Sequence, residues 1–136
     1  MSVQVENLTK IYGEQKAVDA VSFEARKGEV LGFLGPNGAG KSTTMKIITC
    51  FLPQNGGRVN VCGHDTEKDP MAVRRRIGYL PENNPLYEDM YVREYLNFVA
   101  RLHHFKDKKR RVAEMIELTG LQLEQHKLIG ALSKGY

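Results

Sequence analysis

The nine residues Gly35-Pro36-Asn37-Gly38-Ala39-Gly40-Lys41-Ser42-Thr43 hold the clearest chemistry in this sequence. Their order satisfies G-x-x-x-x-G-K-[ST], and every fixed position has a physical task. Glycines let the backbone curl until its amides point inward at phosphate oxygens. Lys41 adds an ammonium charge suited to the outer two phosphates of a triphosphate, and Ser42 offers a hydroxyl to Mg²⁺. A helix starting at Lys41 would aim the positive end of its dipole at the same anion. Composition alone yields roughly a few such matches per thousand chains of this length, so chance is a weak competitor. The stretch implies binding of a nucleoside triphosphate with Mg²⁺.

Such a loop needs a strand before it and a helix after it. Val30-Leu31-Gly32-Phe33-Leu34 is nearly all apolar, which predicts a buried parallel strand. Lys41 to Leu52 carries Met45, Ile47, Ile48, Phe51 and Leu52 at helical spacing and is stopped by Pro53. Upstream, Val3 and Val5 alternate with polar neighbours up to a break at Asn7-Leu8-Thr9. The run Ala20 to Ala25 alternates in the same way, with a turn at Tyr12-Gly13-Glu14 between the two. Further strands are predicted at Arg58 to Cys62 and at Ile77-Gly78-Tyr79-Leu80.

Beyond Pro85 the period changes. Val92, Tyr95, Leu96, Val99 and Leu102 lie on one helical stripe. A second helix begins near Asp107, buries Val112, Met115, Ile116 and Leu118, and closes at Gly120 with a left-handed cap. A sheet-rich first part therefore precedes a helical second part, with no internal repeat.

With 136 residues, 41% hydrophobic and 26% charged, the chain has the makeup of a globular domain able to bury a core. Cys50 and Cys62 lack metal-ligand spacing and read as reduced thiols. The first residues lack a signal peptide's basic start and apolar run, and no window approaches the ~18 apolar residues of a spanning helix. A net charge of +4 decides nothing. The cationic runs Lys106 to Arg111 and Arg74-Arg75-Arg76 lack interleaved aromatics and read as solvated faces, so no nucleic acid is expected as a partner. His103 and His104, adjacent on a helix, point about 100° apart and do not share a metal.

The residues around the loop resemble the nucleotide-binding domain of ABC transporters, and the likeness runs along the whole chain. Tyr12 stands where that family places an aromatic ring against adenine. The loop wording Gly-Pro-Asn-Gly-Ala-Gly-Lys-Ser-Thr is typical of ABC ATPases and unlike that of GTPases or adenylate kinases. At Leu80-Pro81-Glu82 the family ends a strand with a Gln whose oxygen approaches Mg²⁺. Glu82 replaces it: a carboxylate suits a hard cation, but when ionised it donates no hydrogen bond and faces the γ-phosphate charge. Leu132-Ser133-Lys134-Gly135-Tyr136 looks like the family's Leu-Ser-Gly-Gly-Gln signature, with Lys134 and Tyr136 in place of Gly and Gln. The wording from Ile77 to Met90, together with this variant signature, is similar to bacterial ABC-2-type exporters, including gliding-motility ATPases.

The resemblance implies an α/β fold: a P-loop NTPase core with an antiparallel β subdomain in residues 1–85, then a helical subdomain in residues 86–136 that ends in the signature. It implies that Leu132, Ser133, Lys134 and Gly135 serve ATP held by a second nucleotide-binding subunit. It also implies a transmembrane permease partner and a cytoplasmic position at the inner face of the membrane. The family's Walker B strand, its catalytic Glu and its later His would all follow Tyr136. No catalytic residue is therefore expected in these 136 residues, which by themselves should bind nucleotide weakly or not at all and should not hydrolyse it. A soluble ABC-type ATPase remodelling ribosomes or nucleic acid, or an inactive fragment, are the competing readings.

Overall fold

The computed structural model describes residues 2–82, 84–103 and 105–133, so His104, Lys134 and Gly135 lie outside the described residues. The chain forms two compact units, one up to Leu80 and one from Pro81.

In the first unit the alternating segments pair into an antiparallel sheet of β1 (Val3–Tyr12), β2 (Gln15–Ala25), β3 (Gly56–Val61) and β4 (His64–Asp65), in the order β2-β1-β3-β4. Val3 lies opposite Ala25 on one side and Val61 on the other, which puts Val5, Val59 and Val61 on one apolar face. Helix α1 (Lys41–Ile48) covers that face with Ile47 and Ile48, and the short helix α2 (Pro70–Arg74) adds Val73.

The expected break at Asn7 is a bulge inside a continuous strand. Asn7 has φ 48°, its amide is bonded by Ser22 Oγ at 2.8 Å, and the pairing with β2 shifts between Val5 and Leu8. One extra residue on the bulged strand explains why Val5 and Leu8, three apart, are both buried. The partner strand must approach closely there: a Cβ on Gly57 would lie 2.3 Å from the Asn7 carbonyl oxygen.

Helix α1 is four residues shorter than its apolar spacing predicts. Cys50 turns left-handed at φ 58°, and the Phe51 and Leu52 amides both fold back onto the Lys46 carbonyl. Helix α2 was not expected; Asp69 caps it by accepting from the Ala72 amide, with Pro70 in the first turn.

Two expected strands are not formed. Residues 29–36 adopt no regular structure, and Val30 and Leu34 are 98% and 94% exposed rather than buried. A parallel strand needs neighbours to pair its backbone before layers can cover its two faces, and among the described residues no strand pairs with this run. Ile77 packs on the core, but the residues after it form no strand and Leu80 is 79% exposed.

The second unit holds α3 (Val92–Leu102) and α4 (Lys108–Leu118), as the helical spacing predicts. Ala100, Val112 and Ile116 are buried against each other, with Leu96 and Leu121 packed around them. Asp107 caps α4 through its bond from the Arg110 amide, and Gly120 beyond it has φ 70°. Each expected stripe is one residue too long at its C-terminal end, since Leu102 and Leu118 are exposed on the last turns. Amides of Val92 and Arg93 donate to the carbonyls of Lys127 and Gln125, and the Ile129 amide donates to Met90. These bonds hold the segment leading to the 3-10 turn Ile129–Ala131 along the start of α3.

Candidate functional site

The loop between residues 34 and 41 is built by its own backbone. Gly38 and Gly40 have φ 83° and 80°, the Ala39 amide bonds the Pro36 carbonyl at 3.2 Å, and the Thr44 amide makes the first helical bond, to Gly40, at 2.8 Å. Lys41 closes the curl. Its Nζ donates to the carbonyl oxygens of Gly35 and Pro36 at 2.6 and 2.7 Å, so the ammonium sits across the mouth of the turn.

No side chain caps α1, because its cap residue is Gly40, and its first turn carries no acidic residue. The first amides of a helix have no carbonyl one turn earlier to accept them, so they remain available to an anion. Ser42 is exposed on that turn, whereas Thr43 is half-buried and Thr44 buried. Pro36, Asn37 and Ala39 are exposed on the rim of the loop.

The loop presses against the β1–β2 hairpin. A Cβ on Gly40 would lie 2.2 Å from the Ala17 carbonyl oxygen and 3.0 Å from Val18 Cγ2. Ala17 is near the start of β2, directly after the hairpin turn where Tyr12 faces Gln15. Tyr12 is 48% exposed, and Lys10 Nζ stands 5.4 Å from its ring centroid. The hairpin therefore brings an aromatic ring into the same unit as the loop, held by a backbone contact that only glycine permits.

The other expected site residues belong to the second unit. Glu82 is exposed just after Pro81. Leu132 is half-buried, with its amide bonded to the Ile129 carbonyl at 3.0 Å, and Ser133 is exposed. Among the described residues no group of three or more His, Cys, Asp or Glu could hold a metal ion. Of the two residues expected to meet a metal, Ser42 is in the first unit.

Among the described residues the two groups with shifted acidity, Cys50 and Asp65, lie outside the loop. Burial pushes the Cys50 thiol up, against the opposing charge of Arg74. Burial would also raise the Asp65 carboxyl, but the amides of Glu67 and Lys68 and the Arg58 guanidinium outweigh it and hold it below the usual range. Lys10 is a residue the sequence reading did not single out. Its signal was the alternation Leu8-x-Lys10, which sets a lysine on an inward-facing position.

Comparison with known proteins agrees with this geometry. The family described as ABC transporter matches residues 18–136. The bacitracin transport ATP-binding protein BcrA of Bacillus licheniformis is 35% identical over 133 residues, which cover 98% of this chain and 43% of that protein. The daunorubicin resistance ATP-binding protein DrrA3 of Streptomyces coeruleorubidus is 35% identical over 136 residues, covering 98% and 43%. This chain thus spans less than half the length of either relative. Among solved structures, an ATP-binding cassette of an ABC transporter superposes with TM-score 0.84 at 29% identity, covering 98% of this chain and 60% of the other. No helix among the described residues is long and apolar enough to cross a membrane. By sequence and by fold, the chain belongs to the ABC transporter family, among its ATP-binding proteins.

Proposed function

We propose that the loop from Gly35 to Thr43 holds the triphosphate of Mg-ATP, with Tyr12 stacking on the base. The observation that carries this reading is the Lys41 ammonium fixed across the loop mouth by the Gly35 and Pro36 carbonyls, beside uncapped helix amides. Gly38, Ala39 and Gly40 turn the backbone, Lys41 neutralises the outer phosphates, and Ser42 takes one position on the metal. Bound Mg²⁺ would supply charge neutralisation of the phosphate oxygens. Glu82 is a second, weaker candidate for the metal.

Within a polypeptide of its relatives' length, the chain drives a transporter by ATP binding and hydrolysis. Relatives named for bacitracin transport and daunorubicin resistance support this over ribosome or nucleic-acid remodelling. In that setting Leu132, Ser133, Lys134 and Gly135 face ATP on a second nucleotide-binding subunit. The pair works at the inner face of the membrane on a permease partner. For these 136 residues by themselves we propose weak binding and no turnover; none of the loop residues Gly35 to Thr43 is a water-activating base.

Titration of Mg-ATP, followed at the amide resonances of Gly38 and Gly40, tests this. Saturable shifts are expected, weakened roughly tenfold to a hundredfold in Lys41→Ala, the loss of a charge-assisted contact. Equal affinity in the two proteins would refute the loop assignment. Magnesium- and Lys41-dependent turnover by the 136-residue chain would refute the claim that it lacks a base.

A further inference from the structure

Lys10 is 8% exposed, yet among the described residues no carboxylate forms an ion pair with it. Buried ammonium groups persist only where their charge is compensated. Two groups do so here. Nζ donates to the Pro53 carbonyl oxygen at 2.6 Å, and it stands over the Tyr12 ring at 5.4 Å from the centroid, where the negative face of the π-system attracts a cation.

These partners lie at informative places. Pro53 follows the end of α1, the helix that begins at Lys41, whereas Gly40, at its other end, packs on the backbone of Ala17. The hairpin is thus fixed at both ends of one helix: at the start through Gly40 and Ala17, at the finish through Lys10 and Pro53. Lys10 occupies one face of the Tyr12 ring, which leaves the opposite face for a base.

We propose that Lys10 is a positioning residue: it clamps the Tyr12 ring as a base platform at a set distance from the phosphate loop. This rests on the reading that Tyr12 stacks on the base of ATP. Without the clamp the ring regains rotamer freedom, which binding must then remove. The affinity for the base portion falls while the affinity for the phosphates stays.

The test compares Mg-ATP with Mg-tripolyphosphate, which has the phosphates but no base, on the 136-residue chain as wild type, Lys10→Gln, Lys10→Arg and Tyr12→Ala, and on the double variant Lys10→Gln with Tyr12→Ala. Lys10→Gln keeps a donor for the Pro53 carbonyl and loses the cation. It is expected to weaken ATP roughly three- to tenfold, the scale of ordering one side chain, and to leave tripolyphosphate unchanged. Lys10→Arg restores the preference for ATP, and Lys10→Gln adds nothing once Tyr12 is Ala. If Lys10→Gln does not fold, Lys10→Met, which keeps the apolar stem, is read in the same way. Equal losses for both ligands would overturn the proposal, because Lys10 would then act through the fold. If Tyr12→Ala lowers the preference for ATP and Lys10→Gln does not, the clamp alone is wrong. If Tyr12→Ala leaves that preference untouched, the stacking reading fails and the clamp falls with it.

Discussion

Gly38 and Gly40 share nearly the same left-handed backbone, φ 83° and 80°, but differ in surroundings, so replacing each by alanine separates two physical costs. A Cβ on Gly38 meets nothing within 4 Å, and Gly38→Ala is charged only for the left-handed conformation, about 1–2 kcal/mol. A Cβ on Gly40 would lie 2.2 Å from the Ala17 carbonyl oxygen, where ordinary contact begins at 3.4 Å, so β2 and the start of α1 must separate by roughly 1 Å. Overpacking of this kind adds about 1–3 kcal/mol. Gly40→Ala should therefore lose about 2–5 kcal/mol, a large share of the roughly 5–15 kcal/mol that holds a domain together. In urea, with a slope near 2 kcal/mol per molar, the midpoint should drop roughly 0.5–1 M for Gly38→Ala and 1–2.5 M for Gly40→Ala. Equal drops would refute the packing argument and leave backbone conformation as the sole cost.

Two further outcomes follow from the shifted groups. Asp65 has its carboxyl held below the ordinary 3.8, so its contribution to stability is full above that value and is lost as pH falls through the lower native one. The stability gap between wild type and Asp65→Asn should accordingly close in acid, and a gap that persists below the native value would contradict it. Cys50 has its thiol raised from the ordinary 9.0 by burial, so it remains a thiol where an unshifted cysteine ionises, and the stability this implies is lost only as pH rises through the native value. Disulfide exchange with an aromatic reagent near pH 8 should label the exposed Cys62 first and Cys50 slowly. Loss of the fast phase in Cys50→Ala, rather than in Cys62→Ala, would reverse that assignment.

The parts legible in the sequence were those whose causes are local. The loop announces itself because its glycines, Lys41 and Ser42 act within one stretch. The helices α3 and α4 are legible because Val92, Leu96 and Val99 in one and Val112 and Ile116 in the other recur at helical spacing, and the caps at Asp107 and Gly120 are set by single residues. Features that depend on a distant partner were not readable. The Asn7 bulge depends on Ser22 in one neighbouring strand and on the close approach of Gly57 in the other, so the period-two pattern looked like an ended strand. Lys10 went unremarked because its compensation comes from the Pro53 carbonyl, forty-three residues away. Helix α2 is a single turn held by one cap and one buried residue, Val73, below what periodicity can detect.

The apolar run before the loop carries the same lesson into function. Val30, Leu31 and Leu34 would each gain about 1.5–3 kcal/mol from full burial, which a parallel strand obtains by pairing within a sheet whose two faces are covered. Among the described residues no strand flanks the run, and the Phe33 ring meets the sheet 5.1 Å from that of Phe23. The two ends of the loop are therefore held differently. Its exit is fixed by Gly40 against Ala17 and by the first turn of α1. Its entry, at Gly35 and Pro36, is tied to that helix by Lys41 through two short hydrogen bonds. Lys41 is accordingly the tether that keeps the entry carbonyls in place, and in the proposed function the same ammonium meets a phosphate. A strand on either side of residues 30–34 would take over part of the tether and free the ammonium for its ligand. If the loop holds phosphate as proposed, pairing of this run with a further strand should raise phosphate affinity, although none of its side chains need touch the nucleotide.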